Sequence, residues 1–478
     1  MPQHLAHNCL KILSIIIYRL KDKDFGKAAQ GDSSIVHRRS ANAFQNLYLK
    51  VYSLRKDNQM TVLKGSFSPP GDKSISHRLA LMAILASGEC EVSNCLPGED
   101  VQSSLKALKT LGGHYETSDF IHVKISGLGG KTVDNAQIDC GNSGTTMRLI
   151  SGILAGCSGK FVLDGDNSLR KRPMERIAIP LRKMSAQIET QEGRCPITIN
   201  GQPLYGITYD LPVASAQLKS AVLLAGVQAS GKTCVGEPTI SRDHTERMLK
   251  QMGAQIVQKN QNWIVEQSKL VLPDKFYVPG DPSSAAFFLC AAAILKDSAV
   301  ISRNTLLNST RTGFIEILKR MNVDIQINKK MDQPEPVGDI QVNYSSNIVS
   351  TEIHANEIPL LVDEVPILSL IATQAKGKTV FKGVQELRIK ETDRLEAIST
   401  QLNKMGAHIE AGKDTLTIFG PTPLKSVAKL ESFGDHRIAM TLRLANLLTE
   451  SALEIAHEEC VAISYPDFHK TLDHLRGS

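Results

Sequence analysis

Two interleaved patterns of apolar and polar positions repeat along the chain from Met60 onward. In the first, a helix-like stretch ends on two apolar residues three apart and turns into a strand-like one. It reads Leu108-Lys-Thr-Leu-Gly-Gly, Leu181-Arg-Lys-Met-Ser-Ala, Leu249-Lys-Gln-Met-Gly-Ala, Leu318-Lys-Arg-Met-Asn-Val, Leu402-Asn-Lys-Met-Gly-Ala and Leu472-Asp-His-Leu-Arg-Gly. The fourth positions (Leu111, Met184, Met252, Met321, Met405, Leu475) are 73, 68, 69, 84 and 70 residues apart. The second pattern marks another helix-to-strand turn, at Ala86-Ser-Gly-Glu, Cys157-Ser-Gly-Lys, Ala229-Ser-Gly-Lys, Leu295-Lys-Asp-Ser, Ala375-Lys-Gly-Lys and Thr449-Glu-Ser-Ala. Glycine just past a helix end is a common stop, because it enters the left-handed region without a Cβ penalty. Two series of six predict an α/β protein of six repeated units, three per domain.

The last unit lacks a following strand, so Thr61–Phe67 is expected beside the C-terminal helix. The chain is expected to cross between domains at Gly71–Lys73 and at Gly280-Asp-Pro-Ser-Ser-Ala285. That gives residues 60–72 with 282–478 as one domain and 73–281 as the other. At the first crossing, Pro69-Pro70-Gly71 forbids a helix and Asp72 is a good N-cap. Ile75, Leu79, Met82 and Ala86 then fall on one helical face, with Ser74 and Arg78 sharing another. Lys73 stands in the first turn, where the backbone already favours an anion. A lysine there is a local cost, and points to a phosphate or carboxylate cradle.

Charge narrows the partners. The net charge of +6 resides in residues 1–59, which hold ten Lys/Arg and four Asp/Glu; the remaining residues hold 45 of each. A neutral body argues against a nucleic-acid partner. Residues 1–59 lack the repeat and read as a flexible basic extension. Nine scattered cysteines without a C-x-x-C pair point to reduced thiols, a cytoplasmic location and no zinc site. The longest apolar run, Ala285 to Leu295, is too short to span a bilayer, so no membrane role is expected.

The candidate chemistry lies at helix starts. Cys140-Gly-Asn-Ser-Gly-Thr-Thr-Met-Arg148 is a glycine-bearing turn feeding a helix, a geometry that offers backbone N–H groups to an anion, and Gly144 permits close approach. Arg172 stands beside Pro173, which is read in the first turn of the next helix, and can clamp an oxyanion. Ser215 and Gln217 mark another helix start, and Arg242 a strand-to-helix turn. Leu361-Val-Asp-Glu-Val-Pro366 sets Asp363 and Glu364 among apolar neighbours, either to cap the next helix or to act as a base. Lys390-Glu-Thr-Asp-Arg394 is read as the charged first turn of a helix, with Glu391 and Arg394 projecting together. Arg437 follows Asp435-His436 at a further helix start. Gly226-Val-Gln-Ala-Ser-Gly-Lys-Thr233 fits the P-loop pattern by letter, but a helix precedes it and a strand follows, the reverse of what a P-loop needs.

Taken together these motifs (G-D-K-S-x-S-H-R, G-N-S-G-T-x-x-R, K-R-P-M, S-A-Q, K-E-T-D-R and D-H-R-x-A-M) resemble the 5-enolpyruvylshikimate-3-phosphate (EPSP) synthase family of enolpyruvyl transferases, in order from about residue 61 to 470. The resemblance implies a two-domain inside-out α/β barrel with its active site in the interdomain cleft. It implies transfer of the enolpyruvyl group of phosphoenolpyruvate to the 5-hydroxyl of shikimate 3-phosphate, in the shikimate pathway to chorismate and the aromatic amino acids. On the family pattern Lys73, Ser74, Arg78, Ser215, Ala216, Gln217, Arg242, Asp363 and Lys390 hold shikimate 3-phosphate. Lys73, Gly144, Arg172, Arg394 and Arg437 hold phosphoenolpyruvate, and Asp363, Glu391 and Lys73 are catalytic. It implies no metal or other cofactor, a monomer, and inhibition by glyphosate decided at Gly144. The sequence departs from the family at Ile463-Ser-Tyr-Pro466, where some members carry a lysine that contacts phosphoenolpyruvate.

Two rival readings fit less well. The related transferase acting on UDP-N-acetylglucosamine carries Lys-Asn at the first motif and a cysteine before its Arg-Pro, where this chain has Ser74 and Asn167. A P-loop nucleotidase fails on the order of its elements.

Overall fold

The computed structural model describes residues 61–449, 451 and 453–477. The chain divides into two units at Gln59/Met60; the expected extension, residues 1–59, lies outside the described residues. Among the described residues of the second unit twelve α-helices alternate between two roles. The odd-numbered helices are α1 (Lys73–Met82), α3 (Gly144–Leu154), α5 (Ala216–Gly226), α7 (Pro282–Ile294), α9 (Val365–Gln374) and α11 (His436–Ala445). The even-numbered are α2 (Glu99–Thr110), α4 (Glu175–Lys183), α6 (His244–Gln251), α8 (Gly313–Arg320), α10 (Arg394–Lys404) and α12 (Phe468–Arg476).

Odd helices are buried almost all round: every residue from Ile75 to Met82 in α1, from Leu218 to Gly226 in α5 and from Pro282 to Ala293 in α7. A helix apolar on all sides has to be interior. Gly152 allows α3 to lie against α5, since a Cβ there would sit 2.1 Å from the Ala221 carbonyl oxygen. Even helices are amphipathic and half-exposed. The residues that mark the first repeat are their stops: Leu111, Met184, Met252, Met321 and Met405 are C-caps, while Leu475 lies inside α12.

Among the described residues five four-stranded sheets share one order: a parallel pair, spanned by an odd helix in three of them, then an antiparallel hairpin that follows an even helix. In one of them Asn135–Asp139 pairs in parallel with Gly159–Asp164, which pairs antiparallel with Arg194–Gly201, and Gln187–Gln191 completes the hairpin. The sixth unit has the parallel pair alone, Lys429–Glu431 with Glu454–Ala456. The sheets alternate exposed and buried positions, as in Glu89–Ser93, so they face solvent while the odd helices fill the interior.

Two units exchange their leading strands. Lys64–Phe67, which precedes α1, pairs with Ala299–Leu306 after α7; Lys275–Tyr277, which precedes α7, pairs with Glu89–Ser93 after α1. The strand Lys64–Phe67 also meets α12, where His474 Nε2 lies 3.2 Å from the Ser66 carbonyl oxygen. The passing segments bridge at Gly71 and Gly280, with Asp72 N donating to the Pro279 carbonyl (2.8 Å) and Asp281 N to that of Pro70 (2.8 Å). Buried apolar residues form two clusters on either side. One runs from Ile75 to Val278 and includes Leu306; the other holds Leu63, Phe67 and the residues from Ala285 to Leu475.

Several local expectations need correction. α1 ends at Met82, so Ala86 lies in a short strand, and the polar residues Ser76, His77 and Arg78 are buried with the apolar ones. The helix has no solvent face because α2, α3 and α6 surround it. Pro173 precedes α4 instead of sitting in its first turn. Lys390 to Asp393 likewise precede α10, which begins at Arg394 with Asp393 as its N-cap. The reading of the P-loop-like letters holds: α5 ends at Gly226 and the strand Lys232–Gly236 begins after it, so they span a helix end.

Candidate active site

The expected site residues stand at the starts of helices from both clusters. Asp72 Oδ1 accepts from Ile75 N at 2.9 Å and begins α1, which places Lys73 at its first position. The Lys73 ammonium is paired with Asp100 of α2, so an internal carboxylate offsets its charge when no substrate is present. Arg78 is turned inward. Its guanidinium donates to Thr245 Oγ1 (2.7 Å), Ser220 Oγ (2.9 Å) and the Ser74 carbonyl (3.0 Å), and so braces the first turn of α1.

Ser143 caps α3 by accepting from Thr146 N (3.1 Å), which leaves Gly144 as the first helical residue. A Cβ on Gly144 would lie 3.0 Å from Arg148 Nη1 and 3.3 Å from Arg172 Nη1. The glycine therefore keeps two guanidinium ends accessible. Arg172 Nη2 donates to Asn142 Oδ1 at 2.7 Å, and Arg148 Nη1 to Gln217 Oε1 at 2.5 Å. The Nε groups of Arg148, Arg172 and Arg176 are buried without a partner. Burial, with Arg176 and Arg172 beside it, pulls the Arg148 pKa down to about 9. A guanidinium does not give up its proton at neutral pH, so this direction expresses a lack of negative charge around the cluster. Ser215 Oγ accepts from Leu218 N at 3.4 Å, as a cap, and Ala216 begins α5; Gln217 joins them to Arg148 and, through Nε2, to Thr145 Oγ1 (2.9 Å).

The opposite side is built around Asp363. Neither it nor Glu364 makes a side-chain cap for α9. Asp363 instead meets Arg242 Nη2 at 2.5 Å, Arg394 Nη1 at 3.2 Å and Arg437 Nη2 at 3.6 Å, and its carbonyl accepts from Arg437 Nη1 at 3.2 Å. Burial pushes the Asp363 pKa up, but Arg437, Arg242, Lys390 and Arg394 together hold it well below the usual carboxylate range. Arg394 is 2% exposed and serves three carboxylates, with Nε to Asp435 at 2.7 Å and Nη2 to Glu391 at 2.6 Å besides Asp363. Its pKa rises: burial lowers it, and Asp435, Glu391 and Asp363 more than reverse that. Glu391 also approaches Arg172 Nη1, at 4.0 Å. Burial would raise its pKa, yet Arg394, His436, Arg172 and Lys73 lower it, so Glu391 is ionised. Lys390 has its pKa lowered by burial despite Asp363.

A cavity of about 210 Å³ opens between Asp100, Asn142 and Ser168 on one side and Glu391, Phe433, Gly434, His436 and Ile463 on the other. Ile463, where the family pattern has lysine in some members, is thus a wall of the same space. His436 lines it with both ring nitrogens unpartnered, and burial lowers its pKa to about 4 although Asp435 opposes this. A larger cavity of about 440 Å³, lined by Arg247, Leu307 and Asp332 among others, contains none of the expected residues.

Sequence reasoning missed Arg148, Arg176, Asp100, Asn142 and His436. Arg148 carried a signal, since it lies four residues after Gly144 and so on the same helix face. Asp100 carried none, because only the packing of α2 on α1 brings it to Lys73.

A family profile described as EPSP synthase (3-phosphoshikimate 1-carboxyvinyltransferase) matches residues 58–472. The 3-phosphoshikimate 1-carboxyvinyltransferase of Bacillus subtilis is 43% identical over 426 residues, 88% of this chain and 99% of its own. The one from Thermodesulfovibrio yellowstonii is 46% identical over 425 residues, 87% of this chain and 97% of its own. A solved structure of EPSP synthase from Acinetobacter baumannii superposes with a TM-score of 0.78 at 40% identity, covering 87% of this chain and 96% of that one. The enolpyruvyl transferase NikO from Streptomyces tendae shares the fold, with a TM-score of 0.71 at 16% identity over 87% of this chain and 95% of its own. With its motifs in order over nearly the whole repeat region and the six-unit inside-out architecture in place, the chain belongs to the EPSP synthase family.

Proposed function

We infer that the protein transfers the enolpyruvyl group of phosphoenolpyruvate to the 5-hydroxyl of shikimate 3-phosphate, releasing phosphate, as a step of the shikimate pathway. Two observations carry this reading: a cluster of arginines with unpartnered buried donors, and the Asp363 carboxylate that four cations keep ionised. Two polyanionic substrates need the first, and removal of a hydroxyl proton needs the second.

The two buried clusters are read as two domains, residues 60–72 with 282–478 and residues 73–281, with the substrates in the cleft between them. Lys73, Ser74, Arg78, Ser215, Ala216, Gln217, Arg242, Asp363 and Lys390 are assigned to shikimate 3-phosphate. Lys73, Gly144, Arg172, Arg394 and Arg437 are assigned to phosphoenolpyruvate. Asp363 accepts the proton of the 5-hydroxyl as the hydroxyl oxygen adds to the phosphate-bearing carbon of phosphoenolpyruvate. Lys73 and Glu391 carry the proton that the methylene carbon gains in the addition and returns when phosphate leaves. In the ligand-free protein Glu391 is a base, not an acid. Anions that bind Arg172 and Arg394 would compete with it for those cations and raise its pKa toward the range an acid needs. Glu391→Gln with near-normal turnover would remove it from this role.

All eight cysteines among the described residues are free thiols, and no described helix is long and apolar enough to cross a membrane. The protein is read as a monomer working in the cytoplasm on small-molecule substrates, and free thiols fit a reducing compartment. The test is phosphate release with phosphoenolpyruvate plus shikimate 3-phosphate, with UDP-N-acetylglucosamine as the control acceptor. Release with the first pair alone is expected; release only with the second would overturn the reading.

A further inference from the structure

We propose that Arg311 is a positioning residue that pins both crossings of the chain and thereby sets the helix starts carrying Lys73 and Arg242. Arg311 is 2% exposed, in the turn Asn308–Arg311 between the strand Ala299–Leu306 and α8. The turn is held by its own bonds, Thr310 N to Asn308 Oδ1 (2.9 Å) and Arg311 N to the Asn308 carbonyl (2.8 Å). From there Nη1 donates to Asp72 Oδ2 (2.5 Å), and Nη2 to Asp281 Oδ1 (2.9 Å) and Ser283 Oγ (3.1 Å).

The remaining carboxylate oxygens both reach backbone N–H groups at the start of α1. Asp72 Oδ1 accepts from Ile75 N, and Asp281 Oδ2 accepts from Lys73 N at 3.1 Å. Asp281 Oδ1 also accepts from Ser283 N (2.8 Å), in the first turn of α7. Two amides of the first turn of α1 are thus held by carboxylates that one guanidinium holds in turn. Lys73 extends from that turn.

The same guanidinium faces α6. Nη1 lies 3.4 Å from His244 Nε2, and because a guanidinium only donates, His244 accepts there and carries its proton on Nδ1. Nδ1 then donates to Glu335 Oε1 at 2.7 Å. Asn308 closes the circuit, with Nδ2 to Glu335 Oε2 (2.9 Å) and to Asp243 Oδ1 (2.7 Å). Asp243 and His244 begin α6, and Arg242 beside them reaches across to Asp363. One turn of chain therefore ties together the starts of α1, α6 and α7. No shorter side chain and no point charge replaces a planar fork between two carboxylates.

Arg311 touches none of the residues assigned to substrate, so its effect has to pass through the elements it holds. The test compares full-length wild type with Arg311→Lys, using phosphate release, circular dichroism and amide hydrogen exchange. The inference rests on the proposed reaction only for its turnover readout; exchange is read independently, and a wild type that releases no phosphate fails that reaction and not this role. Expected for folded Arg311→Lys are a kcat lower by about tenfold or more, and exchange at the Lys73 and Ile75 amides faster by about tenfold. Exchange in the remote strand Gly159–Asp164 is expected to stay unchanged. Wild-type kcat, or unchanged exchange at Lys73 and Ile75, would overturn the role whatever the melting temperature. If Arg311→Lys does not fold, Asp281→Asn keeps the side-chain shape and weakens the same pin. It is expected to show the same selective loss, and wild-type kcat with unchanged exchange would again overturn the proposal.

Discussion

The two walls of the site handle their arginines in opposite ways. On the wall built from α3, the loop before α4 and the first turn of α4, Arg148, Arg172 and Arg176 have buried Nε groups without partners. The carboxylates nearest to two of them come from the other wall, Glu391 at 4.0 Å from Arg172 and Glu386 at 3.7 Å from Arg176. On that other wall, Arg394 is surrounded by Asp363, Glu391 and Asp435. Burial lowers the pKa of Arg148, while the carboxylates raise that of Arg394. A cation that lacks its counter-ion is a binding group waiting for an anion. A cation already surrounded by carboxylates also holds them in place, whatever anion it goes on to bind.

The largest test of this contrast is Arg394→Met, which leaves three carboxylates without their common partner. Breaking a buried ion pair from one side costs about 3–5 kcal/mol, so urea unfolding is expected to show a loss of that size, together with loss of turnover. The matching change on the first wall should behave differently. Arg172→Met is expected to leave the stability of the ligand-free protein within about 0.5 kcal/mol of wild type. It should still raise the KM for phosphoenolpyruvate by about 100-fold, the equivalent of about 2.7 kcal/mol. A stability loss as large as that of Arg394→Met would erase the distinction between the walls.

Proton linkage sharpens it further. His77, in α1 of the first wall, has its pKa lowered to about 3, chiefly by burial, while His436 on the second is lowered to about 4. An unfolded histidine takes up a proton near pH 6.5 that the buried ring refuses, so stability is full above that value and falls as pH drops below it. Each imidazole contributes up to about 1.4 kcal/mol per pH unit, down to its folded pKa. His77→Asn is expected to remove one such increment from the slope of unfolding free energy between pH 6.5 and 4.5, and an unchanged slope would show that His77 is protonated in the fold. The smallest effect expected is that of Gly144→Ala. Its methyl group would press on the Arg148 and Arg172 guanidinium ends. The wild type should be inhibited by glyphosate competitively with phosphoenolpyruvate, and the variant should need about tenfold more inhibitor, about 1.4 kcal/mol. An insensitive wild type would count against the assignment of Gly144.

The repeat was legible because it is written in local chemistry. A buried methionine or leucine closes five of the six outer helices, and a Gly-containing turn closes most inner ones, so both series survive without any tertiary information. The start of α1 was legible for a related reason, since two prolines and a glycine before an N-capping aspartate admit little else. Helix faces were less so. The one-sided reading of α1 failed because its polar residues find buried partners, as Arg78 does in Thr245 and Ser220, at separations of 167 and 142 residues. The charges of Lys390 to Arg394 were correctly grouped but wrongly placed, because a 3-10 turn over Gln385–Ile389 delays the start of α10.

The sequence alone determined six α/β units, the positions of their stops and the helix starts that bear the chemistry, because each depends on residues within a few positions of one another. The tertiary structure alone decided which charges are answered. Lys73 meets Asp100, Arg394 meets Asp435 and Arg311 joins Asp72 to Asp281, at separations of 27, 41, 239 and 30 residues. Local propensity carries no term for contacts at such range. They arise when the packed helices bring their N-termini together, and from that point electrostatics in a dry interior determines which cations are free to bind.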